Sequence, residues 1–112
     1  MQNYPTTITF GGLEYTVEWW DDLITLSEYP GIRGHGACIP YQRKLLISKS
    51  PRCPTSVGES FVHEGVEAIN FEYDLGLPHQ TIKTLGMAMF QMFKEHGAFI
   101  FSDGATAPST VQ

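Results

Sequence analysis

The hydrophobic period of this chain changes once, near its middle, and that change constrains the fold more than any other feature. The first half is β-leaning, with alternating runs at Thr6–Phe10 and Leu13–Trp19, and from about residue 56 the apolar residues recur at helical spacing. Strands that precede helices, rather than alternating with them, give an α+β domain: a small β-sheet of two hairpins followed by two long helices. At 112 residues the chain has the length of one domain and buries a core without a disulfide framework. The expected division is a single domain over 1–101 and a flexible, small-residue polar tail over 102–112.

Thr6 to Phe10 alternates and is rich in β-branched residues, Gly11-Gly12 follows, and Leu13 to Trp19 alternates again with Leu13, Tyr15, Val17 and Trp19 on one face. Two such runs around Gly-Gly read as a hairpin. Trp20 to Glu28 is ambiguous: Leu23, Ile24 and Leu26 could form a short helix after Asp21-Asp22; Tyr29-Pro30-Gly31 reads as a turn. Ile32 to Lys49 reads as a second hairpin, irregular near Gly34 and Gly36, with its turn over Pro40 to Arg43 and a firm strand at Leu45-Leu46-Ile47-Ser48.

The first helix begins at a capping box of Ser56 and Glu59, in which each side chain can bond the other's backbone N–H. Val62, Val66, Ile69 and Tyr73 form its apolar stripe, facing the sheet, and Gly76 stands at the expected C-terminal cap with Pro78 behind it. The second helix runs from Pro78 to His96 with Ile82, Leu85, Met89 and Met92/Phe93 as its buried stripe. Lys94 and His96 suit its negative end. Its Met and Phe content fits a core helix; a homodimer contact is the alternative.

Composition narrows the function. Twelve acidic against seven basic residues give a formal net charge of −5, the reverse of a duplex nucleic-acid binder, so no nucleic acid is expected as partner. No apolar run approaches the roughly 20 residues of a membrane helix. Met1-Gln2-Asn3-Tyr4-Pro5 lacks the basic-then-apolar order of a secretory signal. Cys38 and Cys53 have no Cys-x-x-Cys spacing and read as reduced thiols. Together these give a cytoplasmic expectation.

The chemistry concentrates on the first helix, where residues 63–67 read His-Glu-Gly-Val-Glu. His63 and Glu67 are four apart and project from one face one turn apart, a spacing from which two side chains reach one metal ion. Glu59, Asn70 and Asp74 share that stripe; Asn70 and Asp74 are candidates to brace the ligands or, more simply, helix-surface residues. Catalytic zinc takes three protein ligands and leaves a fourth position open. His79, in the first turn of the second helix and in phase with its inward residues Ile82 and Gly86, is the third candidate if the two helices form an antiparallel pair. Glu64 lies about 100° around the helix from His63, in the general-base place of His-Glu-x-x-His hydrolases. His35, between two glycines, is a candidate to stabilise an oxyanion or bind substrate, against a turn residue with local hydrogen bonds. A solvated His–Glu pair on a helix surface is the plain alternative for the whole motif.

The layout resembles small zincin-type metallopeptidases of the minigluzincin kind, especially those of phages and prophages. In that group a β-rich half leads into a helix reading roughly H-E-x-x-H-A-I-x, then Leu-Gly-Leu and a second helix. Here residues 63–70 read H-E-G-V-E-A-I-N, 73–77 read Y-D-L-G-L and 79–86 read H-Q-T-I-K-T-L-G. The likeness covers about residues 61–93. It implies a zincin-like fold, zinc at His63, Glu64 as base and a third ligand near His79. Glu67 stands where the family pattern has its second histidine. His63, Glu67 and His79 then make a His₂Glu set, a composition known for catalytic zinc. A carboxylate makes the metal a weaker Lewis acid and admits other divalent ions, so the change bears on activity more than on metal binding. The expected function is a zinc-dependent metallopeptidase acting on a peptide or protein held at an edge strand. The alternative is a catalytically inactive zincin-fold protein, phage-encoded and located in the host cytoplasm, that binds or inhibits a host protein.

Overall fold

The computed structural model describes residues 4–26, 29–50 and 54–96. Six strands precede two helices: β1 (Thr7–Phe10), β2 (Leu13–Trp20), β3 (Ile24–Leu26), β4 (Tyr29–Gly34), β5 (Gly36–Ile39), β6 (Lys44–Ser48), α1 (Pro54–Glu72) and α2 (His79–Glu95). A single 3₁₀ turn, Pro40–Gln42, joins β5 to β6. This is the α+β order that the change of period predicts.

The first hairpin forms where the alternation places it; the second, expected over Ile32–Lys49, is shorter and spans Gly36–Ser48, because residues 32–34 belong to β4 of a separate ribbon. Gly11 and Gly12 both have positive φ, 57° and 80°, the pairing that a type I′ turn requires, and the strands meet from Phe10↔Leu13 to Thr7↔Thr16. β5 pairs with β6 antiparallel, Gly36↔Ile47 to Ile39↔Lys44. The hairpins are joined by a parallel pairing of β2 with β6, Thr16↔Lys44 to Trp20↔Ser48, into one sheet of order β1-β2-β6-β5. β3 and β4 form a separate antiparallel ribbon. The ambiguous segment resolves to a strand at Ile24–Leu26, where the β-branched Ile24 and Thr25 fit a ladder, and one expectation is corrected. Tyr29-Pro30-Gly31 lies within β4, not in a turn; proline is tolerated in a ribbon with an open edge.

α1 lies across the sheet. Tyr15, Val17, Leu45 and Ile47 from the strands pack with Val57, Phe61 and Ala68 from the helix. Trp19 stacks on Phe61 with centroids 5.7 Å apart, and its indole N–H donates to the Pro5 carbonyl at 2.7 Å. A second core joins Val62 and Val66 to Ile82 and Phe90 of α2. The stripe of Val62 and Val66 therefore faces the second helix, not the sheet; α1 carries two apolar faces about 100° apart because it packs against two layers. Tyr73, expected in that stripe, is exposed and rests its hydroxyl over Gly11.

The helix ends also differ. α1 starts at Pro54, a residue that costs nothing in the first turn, so Ser56 and Glu59 sit inside the helix and do not form its capping box. At the other end the left-handed residue that caps the helix is Asp74, φ 52°; Gly76, also left-handed at φ 67°, stands two residues beyond it in the linker. The Leu75 N–H bonds the Asn70 carbonyl and the Asp74 N–H the Phe71 carbonyl, the Schellman pattern. α2 buries Ile82, Gly86 and Phe90; Leu85 and Met92, expected inside, are exposed because among the described residues this helix packs mainly on α1 and hides one stripe. Cys38 is a free thiol. The tail expected over 102–112, the run 98–101 and Cys53 lie outside the described residues. Among the described residues no helix is long and apolar enough to cross a membrane.

Candidate metal centre

α1 and α2 run antiparallel through the linker 73–78, which Asn70 clasps. Its side-chain oxygen accepts from the Leu77 N–H at 2.9 Å, and its amide reaches the Leu77 carbonyl at 3.5 Å. The Asn70 side chain thus fixes the entry to α2, and the Asp74 backbone caps α1. That junction sets the first turn of α2 against the middle of α1.

Three donors meet there. His63 Nε2 lies 3.4 Å from Glu67 Oε2, and His79 Nδ1 lies 3.4 Å from the same oxygen. The imidazoles approach edge to face, with centroids 5.2 Å apart. One ligand atom from each of the three residues falls within 4.8 Å of the others. Ligands about 2.0–2.1 Å from a tetrahedral ion stand about 3.3–3.4 Å apart, so two of the three edges already have the required length. The His63-Glu67-His79 group can hold a metal ion. His63 and Glu67 are partly covered, while the His79 side chain is 71% exposed. Burial pushes the His63 imidazole below its ordinary value, with Glu67 acting against that and His79 and Lys83 acting with it. A neutral imidazole is the form that ligates metals.

The helices come this close because Gly86 has no side chain. A Cβ there would stand 3.1 Å from the His63 Cα and 3.3 Å from its backbone nitrogen, atoms that cannot swing away. Gly36 has the same role on the sheet side: a Cβ would meet Glu64 Oε2 at 2.8 Å and its Cγ at 3.0 Å. Glu64 is therefore pressed against β5 and is only 8% exposed. Among the described residues no hydrogen bond or ion pair reaches its carboxyl. Burial first, and the charge of Glu67 second, raise it from the usual carboxylate range to about 8.

A cleft of about 500 Å³ opens over these groups, with His35 and Gly36 on one wall and Lys83 and Met87 of α2 on the other. His63, Glu64 and His79 line it together with Glu59 of α1. His35, the candidate from the glycine-flanked strand end, lines the cleft and is exposed; its backbone carbonyl accepts the Ser48 N–H at 2.9 Å. All five sequence candidates, His35, His63, Glu64, Glu67 and His79, thus gather at one place. Lys83 and the close-approach role of Gly36 and Gly86 were not anticipated. Lys83 could have been found from its position four after His79, and Gly86 from being a glycine on the inward stripe of an apolar helix. Nothing local in the sequence marks Gly36 as the neighbour of Glu64.

Comparison with known proteins returns no match: no family model, no curated protein and no solved structure matches this chain.

Proposed function

We propose that this protein is a zinc-dependent peptidase. The observation that carries the reading is a three-donor group, two of whose edges have tetrahedral length, beside the buried carboxyl of Glu64, which has no hydrogen-bond or ion-pair partner among the described residues; His63, His79 and Glu64 line one cleft. A solvated His–Glu helix face explains the donors but not why Glu64 is buried beside them at a desolvation cost.

His63, Glu67 and His79 hold the ion. Zinc, when bound, polarises a substrate carbonyl and lowers the pKa of water. A dication also offsets the negative charge of Glu67 and so favours the ionised form of Glu64, the form that accepts a proton. Glu64 then takes a proton from the water whose oxygen attacks the peptide carbonyl carbon. As the C–N bond breaks it returns that proton to the leaving amine. β5 is an outer strand of the sheet and forms the cleft wall at Gly36, so an extended peptide adding to its free edge passes His63 and Glu64. His35, on the same wall, is placed to bind substrate or steady the developing oxyanion.

The test is Glu64→Gln in zinc-loaded protein, against an unbiased peptide mixture with new termini read by mass spectrometry. The expected result is cleavage by the wild type, lost by roughly 100-fold or more in the variant at unchanged zinc content. Unchanged turnover in the variant, or no cleavage by zinc-loaded wild type, contradicts the reading.

A further inference from the structure

A second depression lies along the same helix. Tyr41 of the 3₁₀ turn and Phe71 of α1 pack edge to face with centroids 5.3 Å apart. Yet Tyr41 is 88% and Phe71 43% exposed, so the pair keeps most of its apolar surface in water. The depression they line, with Arg43 and Glu72, measures about 540 Å³. Its rim is fixed: Arg43 Nε stands 3.5 Å from Glu72 Oε2, and the buried Tyr15 hydroxyl donates to the same oxygen at 2.6 Å.

Phe71 is seven residues after Glu64 and so lies on the same stripe of α1, about 10 Å further along the axis. β5 runs beside that stripe, from Gly36 against Glu64 to the Pro40–Gln42 turn that carries Tyr41. A strand residue advances about 3.3 Å. An extended peptide on the β5 edge therefore covers the interval from metal centre to aromatic pair in three residues. Antiparallel addition, the more stable sense, puts the N-terminal part of the peptide on the aromatic pair. Resting on the peptidase reading, we propose that Tyr41 and Phe71 form a subsite that selects an aromatic or large aliphatic side chain about three residues before the scissile bond.

Binding tests this without turnover. Acetyl-Phe-Ala-Ala-hydroxamate and acetyl-Ala-Ala-Ala-hydroxamate both present a zinc-binding group after three residues, and they differ only in the residue that reaches the pair. Titrated calorimetrically into the zinc-loaded full chain, the Phe probe is expected to bind about tenfold more tightly. That advantage should vanish in Tyr41→Ala, an exposed position whose loss leaves the core intact, and in Phe71→Ala. Equal affinities of both probes for the wild type overturn the subsite while leaving the metal centre standing, as does an advantage that survives both variants. Failure of both probes to bind protein that retains its zinc overturns the subsite, because no peptide then lies in the groove. Failure of the protein to take up zinc removes the reading beneath it and the subsite with it.

Discussion

α1 carries two covered glutamates eight residues apart, and their surroundings are opposite. Glu72, with its side chain 12% exposed, receives the Tyr15 hydroxyl at 2.6 Å and faces Arg43 at 3.5 Å. Glu64 is as deeply covered, but among the described residues it receives neither a hydrogen bond nor a counter-charge. The first arrangement is how a fold keeps a buried carboxylate: a donor and a cation offset the lost hydration. The second leaves a carboxyl proton-loving, on the residue next to His63 and in the wall of the cleft that His63 and His79 also line. Burial alone does not distinguish structure from function on this helix; the partner does.

Three substitutions would break or sharpen that contrast. The largest effect is expected from Glu64→Gln, which should lower peptide hydrolysis by about 10²–10⁴-fold while leaving thermal stability at neutral pH unchanged or raised. A melting temperature that falls with the activity would put Glu64 in the same structural role as Glu72. Next, Glu72→Ala strands the buried Tyr15 hydroxyl and should cost about 1–3 kcal/mol in urea unfolding, with zinc affinity intact. A zinc affinity that drops with stability would show the two ends of α1 to be one unit. Gly86→Ala places a methyl against the His63 backbone and is expected to cost about 1–3 kcal/mol by overpacking. Unlike Glu72→Ala it should also weaken zinc binding, because it moves His79 away from Glu67. Retained zinc affinity in this variant would contradict the close approach of the helices.

The contrast also has a pH signature in the metal-free protein. The Glu64 carboxyl is raised from 4.5 to about 8 on folding, so between those values the native state holds a proton that the unfolded chain has lost. Its contribution to stability is complete below about pH 4.5 and is lost as pH rises through about 8. The slope is at most about 1.4 kcal/mol per pH unit. Chemical denaturation from pH 5 to 9 should show that decline in the wild type and a shallower one in Glu64→Gln. Parallel curves would mean that Glu64 is ionised in the folded protein.

The sequence was most legible where structure is local. Gly11-Gly12 between alternating runs located its hairpin turn to the residue and the strand ends to within one, and the His63–Glu67 spacing specified a shared helix face. His79 was legible one step further out, through its phase with Ile82 and Gly86 and the short linker that makes the helices antiparallel. The parallel pairing of β2 with β6 was not legible, since it joins residues far apart with no turn to announce it. Nor was the second apolar face of α1: Val62 and Val66 look the same whether a sheet or a helix covers them. The caps misled because alternatives compete within a few residues. Pro54 starts the helix before Ser56 can, and Asp74 takes the capping position two residues ahead of Gly76, although both are left-handed. What made the site specific, the missing side chains of Gly36 and Gly86, became visible only with the elements packed.

The measurement closest to the central claim is metal content. Untagged protein purified without chelator and loaded with zinc, then analysed by inductively coupled plasma mass spectrometry, should carry one zinc per chain. In His63→Ala the affinity should fall by more than the roughly 100-fold that loss of a mere supporting residue costs. A folded wild-type chain that takes up no zinc, or one whose zinc survives His63→Ala unchanged, would contradict the assignment of His63, Glu67 and His79 as a metal centre.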